Sequence, residues 1–421
     1  MFILYDIIFL IFAIGYMPIL ILKKKWHVDF KMRFGFVPVD VEKHLADTKN
    51  IWIHAVSVGE VLAVCDLILR IRNKFPEHQL IITTVTKTGN DLAKQKLSGK
   101  DVIVLYAPLD LSWIVKKFIK KIRPEIYISA ETEFWPNLFY ALAKSGVPII
   151  QVNGRISDRS FKHYLLAKLI MRPVLNCVSR FCMQSPTDAN RVFELGVDRG
   201  RIEVCGNLKF DLASVVDNVA EEYLKLPVKY KFIIGGSTHD GEEDILADIY
   251  LSLRSEFPDV RLIIVPRHVE RALDILDLMK IKGLSAVKYS EYKEGDDLSS
   301  DAVIIVDVIG KLRMLYRLAT LVFVGKSLTS KGGQNMIEPA VYGKPIIVGP
   351  NTQNFKDVMA LFLSQNAIVR VNDPQELKDQ MKLLLKSPEK MKQLGETAKN
   401  TVDIGRGATD RTLAIITDYI K

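Results

Sequence analysis

Short apolar runs rich in Ile and Val recur along this chain, each separated from the next by a stretch of helical periodicity. In the first half they are Ile51–Val58, Leu80–Val85, Val102–Tyr106, Ile126–Ala130 and Val147–Val152. Strands that are apolar at consecutive positions need cover on both faces, which belongs to parallel sheets flanked by helices. The pattern restarts beyond Gly206 with Phe232–Gly235, Leu262–Val265, Val303–Val306, Leu321–Val324 and Ile346–Val348. Between the two series the polar segment Asp211–Lys229, which contains Leu226-Pro227-Val228, reads as a link. The expected fold is α/β, with two Rossmann-like doubly wound domains facing a cleft, residues 26–210 and 211–421. A chain of 421 residues, 48% hydrophobic, is long enough to bury both cores.

Residues 2 to 22 are apolar apart from Asp6, the tyrosines and Pro18, and about 20 such residues approach the minimum for a membrane span. Lys23-Lys24-Lys25-Trp26 follows, whereas a signal peptide carries its positive charge before the apolar run. Residues 1–25 therefore read as an uncleaved anchor helix with the remainder on the cytoplasmic side. An interfacial or re-entrant segment is the alternative, since Asp6 and Pro18 interrupt the run. On the anchor reading, removing residues 1–25 leaves a folded protein that binds membranes less well.

The net charge of +9 is spread along the chain, without the aromatic-interleaved basic tract that stacks nucleobases. It points to an anionic membrane surface or an acidic substrate and away from nucleic acid. Cys65, Cys177, Cys182 and Cys205 lack metal or redox spacing and read as small buried hydrophobes.

Open α/β sheets bind ligands outside the carboxyl ends of their strands. There, Ile51-Trp-Ile-His-Ala-Val-Ser-Val-Gly59-Glu60 runs from a strand through Gly-Glu into a helix. Glu60 is either a candidate base in the crevice or a first-turn acid favoured by the helix dipole. The acidic loop Glu131-Thr-Glu-Phe-Trp-Pro-Asn137 follows a second strand. Carboxylates crowded together raise one another's pKa, which makes a better base; the bland alternative is a solvated loop with Trp135 packed beneath it. Asn153-Gly-Arg155 and Gly206-Asn-Leu-Lys-Phe-Asp211 follow, with Lys209 placed to neutralise a leaving phosphate or a substrate carboxylate.

In the second half, Gly235 to Glu243 joins a strand to a helix and serves equally as a capped helix start or as an anion site. Pro266-Arg267-His268 ends a strand and offers a guanidinium fork for phosphate or carboxylate. Lys331-Gly-Gly-Gln-Asn-Met-Ile-Glu-Pro339 combines paired glycines, helix-start amides and Glu338, the parts of a nucleotide-sugar site. GxxxxGK[ST], GxGxxG after a strand, HExxH and Asp-x-Asp are all missing.

With these motifs in this order, the chain resembles the Kdo transferases, which move 3-deoxy-D-manno-octulosonic acid (Kdo) from CMP-Kdo to lipid A precursors. The resemblance implies an inverting GT-B type glycosyltransferase at the inner membrane, needing no metal or cofactor. CMP-Kdo would be the donor and an anionic lipid A precursor, lipid IVA, the acceptor, for lipopolysaccharide synthesis. Position by position it makes Glu60 the general base, with Glu131 and Lys209 stabilising the transition state, Glu133 remaining an alternative to Glu131. For CMP it implies Arg267, His268, the turn Ile309-Gly310-Lys311, and Asn335, Met336, Ile337 and Glu338. The competing expectations are a transferase or epimerase using a UDP-sugar, and a membrane-tethered nucleotide-binding protein without catalysis.

Overall fold

The computed structural model describes residues 5–7, 9–11, 28–211, 226–227, 229–294, 297–299 and 301–420. It divides into one unit of residues Met1–Leu212 with Gly405–Lys421, and a second of Ala213–Ile404. Residues 405–421, which the sequence assigns to the second domain, thus belong to the first. Asp211 accounts for this locally: its carboxylate accepts the Gly407 and Thr409 N–H groups at 2.8 and 2.6 Å, capping the terminal helix Ala408–Thr417. Ala408 and Ile416 then join the first unit's core. Most of the expected link lies outside the described residues.

The first sheet contains β1 (Lys49–His54), β2 (His78–Thr84), β3 (Val102–Tyr106), β4 (Pro124–Ala130), β5 (Ile149–Gly154), β6 (Arg180–Met183) and β7 (Ile202–Val204). All pairings are parallel, in the order β3-β2-β1-β4-β5-β6-β7. Both faces are buried, as the continuous apolar runs require. In β1, Ile51 and Ile53 enter one core cluster while Trp52 enters the other. There Trp52 meets Tyr127 edge-on at 4.8 Å between ring centres. Each fully buried aromatic or aliphatic side chain of this size contributes about 1.5–3 kcal/mol.

The second sheet contains β8 (Lys231–Thr238), β9 (Val260–Pro266), β10 (Ser285–Lys288), β11 (Ala302–Ile305), β12 (Ala319–Val324), β13 (Ile346–Val348) and β14 (Val369–Arg370). It too is parallel, ordered β10-β11-β9-β8-β12-β13-β14. In the second sheet β11 is inserted between β10 and β9 at one edge; towards the middle, the strand order reverses between β1 and β4 in the first sheet and between β8 and β12 in the second. Those reversals open the crevices in which α/β sheets take ligands.

The anchor expectation falls mostly on residues outside those described; among the described residues no helix is long and apolar enough to cross a membrane. Residues 5–7 and 9–11 are helical, and Asp6 is only 7% exposed. Its carboxylate accepts from the Asn137 side-chain amide at 2.7 Å and from the Ser112 N–H at 3.1 Å. A position read as an interruption of a span is thus a polar joint to the folded domain.

Candidate active site

Glu60 sits at the first sheet's reversal, in the first turn of the helix Val58–Lys74 that follows β1. Its carboxylate accepts the Val56 N–H at 2.7 Å and the Ser57 hydroxyl at 3.1 Å, reaching back over its own helix start. The capping role is therefore real. Burial nevertheless outweighs those hydrogen bonds and raises the Glu60 pKa to about 8, with the charges of Glu131 and Glu133 pushing the same way. Crowding by acids was the cause expected from sequence; it contributes, but loss of water is the larger one.

Glu131 follows β4 in the left-handed backbone region, with φ of 53°. Its N–H is tied to the Val152 carbonyl at 2.9 Å and its carbonyl accepts from the buried Gln151 side chain. The Glu131 carboxylate is then presented to Lys209 Nζ at 3.7 Å. Glu133, alongside, has its pKa raised by burial and by Glu131. Beneath them His54 closes β1 fully buried, which lowers its pKa to about 4 and keeps it neutral, with the Trp135 ring edge-on at 5.7 Å.

Lys209 is positioned by a polar network that was not anticipated. Asn207 Oδ1 accepts the Lys209 N–H at 3.0 Å, and Asn207 Nδ2 donates to Gln184 Oε1 at 3.0 Å. Gln184 Nε2 donates to the Asn153 carbonyl at 2.9 Å, and Asn153 Oδ1 accepts the Leu208 N–H at 3.0 Å. Amide side chains at the ends of apolar runs were the signal available in sequence. Glu60, Glu131, Glu133 and Lys209, scattered over the first half of the chain, are thereby gathered at one sheet edge.

In the second unit the β8-to-helix turn is occupied by its own side chain. Glu242, 1% exposed, accepts the His239 and Lys326 N–H groups with Oε2 at 2.9 and 2.7 Å, and those of Ser327 and Leu328 with Oε1, each at 3.0 Å. Of these donors only the His239 N–H belongs to the turn expected to suit an anion; the other three come from the loop after β12, so the carboxylate bolts that loop to the turn after β8. Arg267 and His268 stand exposed after β9, and the His268 ring meets that of His239 at 6.0 Å, edge to face. Gln334 Nε2 lies 3.4 Å from His239 Nε2.

The other proposed nucleotide residues divide. Asn335 Nδ2 donates to Glu338 at 3.1 Å, while Asn335 Oδ1 takes the Ile337 N–H at 3.0 Å, leaving that helix-start amide engaged. Met336 and Ile337 are 0% and 1% exposed, so their side chains belong to the core and only their backbone can face a ligand. Ile309 is 84% exposed, beside Gly310 with φ of 88° and the partly exposed Lys311. Gly332 and Gly333 also have positive φ, 128° and 75°, and a Cβ on Gly333 would stand 3.0 Å from the Thr352 backbone. Their glycine requirement is met within the chain's own packing.

Comparison with known proteins agrees with this architecture. The sequence profile described as 3-Deoxy-D-manno-octulosonic-acid transferase (kdotransferase) matches residues 29–212, and that of Glycosyl transferases group 1 matches residues 281–401. A 3-deoxy-D-manno-octulosonic acid transferase of Haemophilus influenzae is 30% identical over 378 residues, 89% of this chain and 88% of the relative. A bifunctional glycosyltransferase/methyltransferase of Fusobacterium nucleatum is 36% identical over 79% of this chain but only 52% of its own length. Among solved structures, UDP-GlcNAc 2-epimerase from Neisseria meningitidis superposes with a TM-score of 0.58 at 14% identity, over 88% of this chain and 99% of that one. That likeness is one of fold, the GT-B type with two Rossmann-like domains. The sequence relationships go further: the chain belongs to the 3-deoxy-D-manno-octulosonic acid transferase family and is a glycosyltransferase.

Proposed function

We propose that this protein transfers Kdo from CMP-Kdo to a sugar hydroxyl of an anionic lipid A precursor such as lipid IVA, with inversion, at the cytoplasmic face of the inner membrane. The observation that carries it is Glu60, buried beside Glu131 and Glu133 with a pKa raised to about 8. Once ionised, such a carboxylate takes a hydroxyl proton more readily than an ordinary one, a role worth ~10²–10⁴-fold. The acceptor oxygen bonds to the anomeric carbon while the bond to the phosphate oxygen breaks. CMP leaves with that electron pair, and Glu60 takes the hydroxyl proton.

Lys209, held against Glu131, supplies fixed positive charge where negative charge gathers. Arg267, His268, Lys311 and the Asn335–Glu338 pair are assigned to the nucleotide. No metal or cofactor is invoked for the transfer step.

A lipid-borne acceptor is supported by one corner of the first unit. Leu166 and Leu169 are 88% and 92% exposed and Ile170 60%, at the junction of the helices Asp158–Leu166 and Lys168–Leu175. Arg159, Lys162, Lys168 and Arg172, on the same two helices, are all exposed. Exposed apolar side chains on helices that also carry exposed cations suit an anionic bilayer surface, each cation adding about 1 kcal/mol.

The test is to incubate detergent-solubilised protein with a tetraacylated lipid A precursor and freshly made CMP-Kdo, then weigh the lipid by mass spectrometry. Mass increments of Kdo are expected. An unchanged lipid alongside CMP binding would refute the acceptor, and indifference between CMP and UDP in a thermal-shift titration would refute the donor.

A further inference from the structure

Two helices at the active-site end of the first unit begin without caps of their own. Ser112–Ile122 is preceded by Leu111 and Pro136–Lys144 by Trp135, and neither residue supplies a side-chain cap. The second of these helices is the continuation of the Glu131–Trp135 loop, so whatever fixes its first turn fixes that end of the loop.

Acids from elsewhere in the chain do so. Asp110, 1% exposed, accepts the Leu138 N–H at 2.8 Å and the Asn137 N–H at 3.2 Å. The Asn137 side-chain amide spends both its protons: one on the Asp110 carbonyl at 2.7 Å, the other on Asp6 at 2.7 Å. The same Asp6 oxygen takes the Ser112 N–H, joining the starts of both helices. Tyr5 completes the joint with a hydrogen bond to the Asp110 side chain. Carboxylates at helix N-termini are favoured by the helix dipole as well as by the orphan amides they satisfy.

We propose that Asp6 is a positioning residue for the Glu131–Glu133 loop, acting through Asn137 and in concert with Tyr5 and Asp110. The start of the chain is then a working part of the catalytic end of the first unit, and not merely a tether. This rests on the assignment of that loop to catalysis. It also reverses the expectation that residues 1–25 can be removed without consequence for the fold, because the removal strips an acceptor from two helix starts.

The test uses full-length protein carrying Asp6→Ala, Asp6→Asn and Tyr5→Phe. Asp6→Ala should lower kcat on the order of ten- to a hundred-fold, the scale of a small misplacement of catalytic groups. CMP affinity should stay unchanged, and amide exchange should accelerate at Ser112 and through residues 131–138. Asp6→Asn should recover most of kcat, since an amide oxygen can still accept from Ser112 and Asn137. Should Asp6→Ala not fold, Tyr5→Phe removes a single hydroxyl and should show the same exchange pattern with a smaller loss. Wild-type kcat in Asp6→Ala, or a loss of kcat without faster exchange in 131–138, overturns the proposal. If Glu131→Gln and Glu133→Gln keep full turnover, the assignment of the loop fails. If they lose it while Asp6→Ala does not, only the positioning role fails.

Discussion

Glu60→Gln should stop turnover and at the same time stabilise the first unit, but only above acid pH. Burial holds the Glu60 proton in the folded protein up to about pH 8, against an ordinary value of 4.5. Between those two pH values the folded state keeps a proton that the unfolded chain has released, so stability falls as pH rises through the window. Below 4.5 both states are protonated and the effect vanishes; above 8 both are ionised and it is constant. At 1.36 kcal/mol per pKa unit the full penalty is ~5 kcal/mol, of which ~3 is present at pH 7. Gln mimics the protonated acid: its carbonyl accepts from Val56 and its amide donates to the Ser57 oxygen, with nothing to ionise. The variant should match wild type near pH 4.5 and exceed it by several kcal/mol at pH 9.

Urea titrations followed by tryptophan fluorescence read this cleanly, because all four tryptophans lie between residues 26 and 135 and report the first unit alone. Over the same window, wild-type kcat/KM should climb with pH and level off near 8, while the variant loses ~10²-fold or more. A stability gap that is independent of pH, or that widens toward acid, would refute the burial of Glu60 as an acid.

Three further outcomes follow from the packing. Glu242→Ala strands four amide donors and should cost the second unit ~3–5 kcal/mol, accelerating amide exchange at residues 325–328 and weakening CMP binding; unaltered exchange there would count against the bolt. Gly395→Ala would bring a Cβ to 2.0 Å from the Gly343 carbonyl oxygen, a backbone clash. It should cost at least ~3 kcal/mol, read as a lower calorimetric transition for the second unit, and a wild-type transition would contradict it. Leu166→Asp with Leu169→Asp should cut flotation with anionic vesicles more than tenfold while leaving the melting curve unchanged; undiminished flotation would remove this corner as the membrane contact.

Strands were legible where the run is apolar without interruption: Ile346–Val348, buried throughout, matches its expected bounds residue for residue, and so does the edge strand Val102–Tyr106, although only Leu105 and Tyr106 are buried in it. β7 and β14 were not. β7 exposes Glu203 and Val204, and β14 is two residues long, so neither carries the signature of a fully covered strand. Glu60, Glu131 and Lys209 could be picked out because ionisable residues at strand ends are costly without a purpose. Their supports were hidden for the opposite reason. Gln151, Gln184 and Asp110 matter through partners 20 or more residues away, and Asn207 joins that network through Gln184, so no local period marks which polar side chains take part. Met336 and Ile337 show the converse: a motif read for its backbone and polar groups also carries side chains that belong to the core.

Backbone strain follows the same division of labour. Glu131, Asn153, Ser237 and Lys326 all have φ near +54°, between 53° and 55°, without being glycine, and all stand at the carboxyl end of a central strand. Each such residue costs of order 1–3 kcal/mol, tolerated only where surrounding bonds overdetermine it. At three of the four those bonds are seen: Gln151 and Val152 hold Glu131, Leu208 and Gln184 hold Asn153, and Glu242 and Gly333 hold Lys326. Glycine would relieve the strain but would present no side chain. The left-handed turn redirects a side chain away from the pleat that the preceding strand imposes, which is how Glu131 leaves β4 and comes to face Lys209. Strain at these four positions therefore stabilises nothing by itself. It sets where the side chains leave the sheet, and the buried amides and carboxylates around it are the means by which the fold sustains that cost.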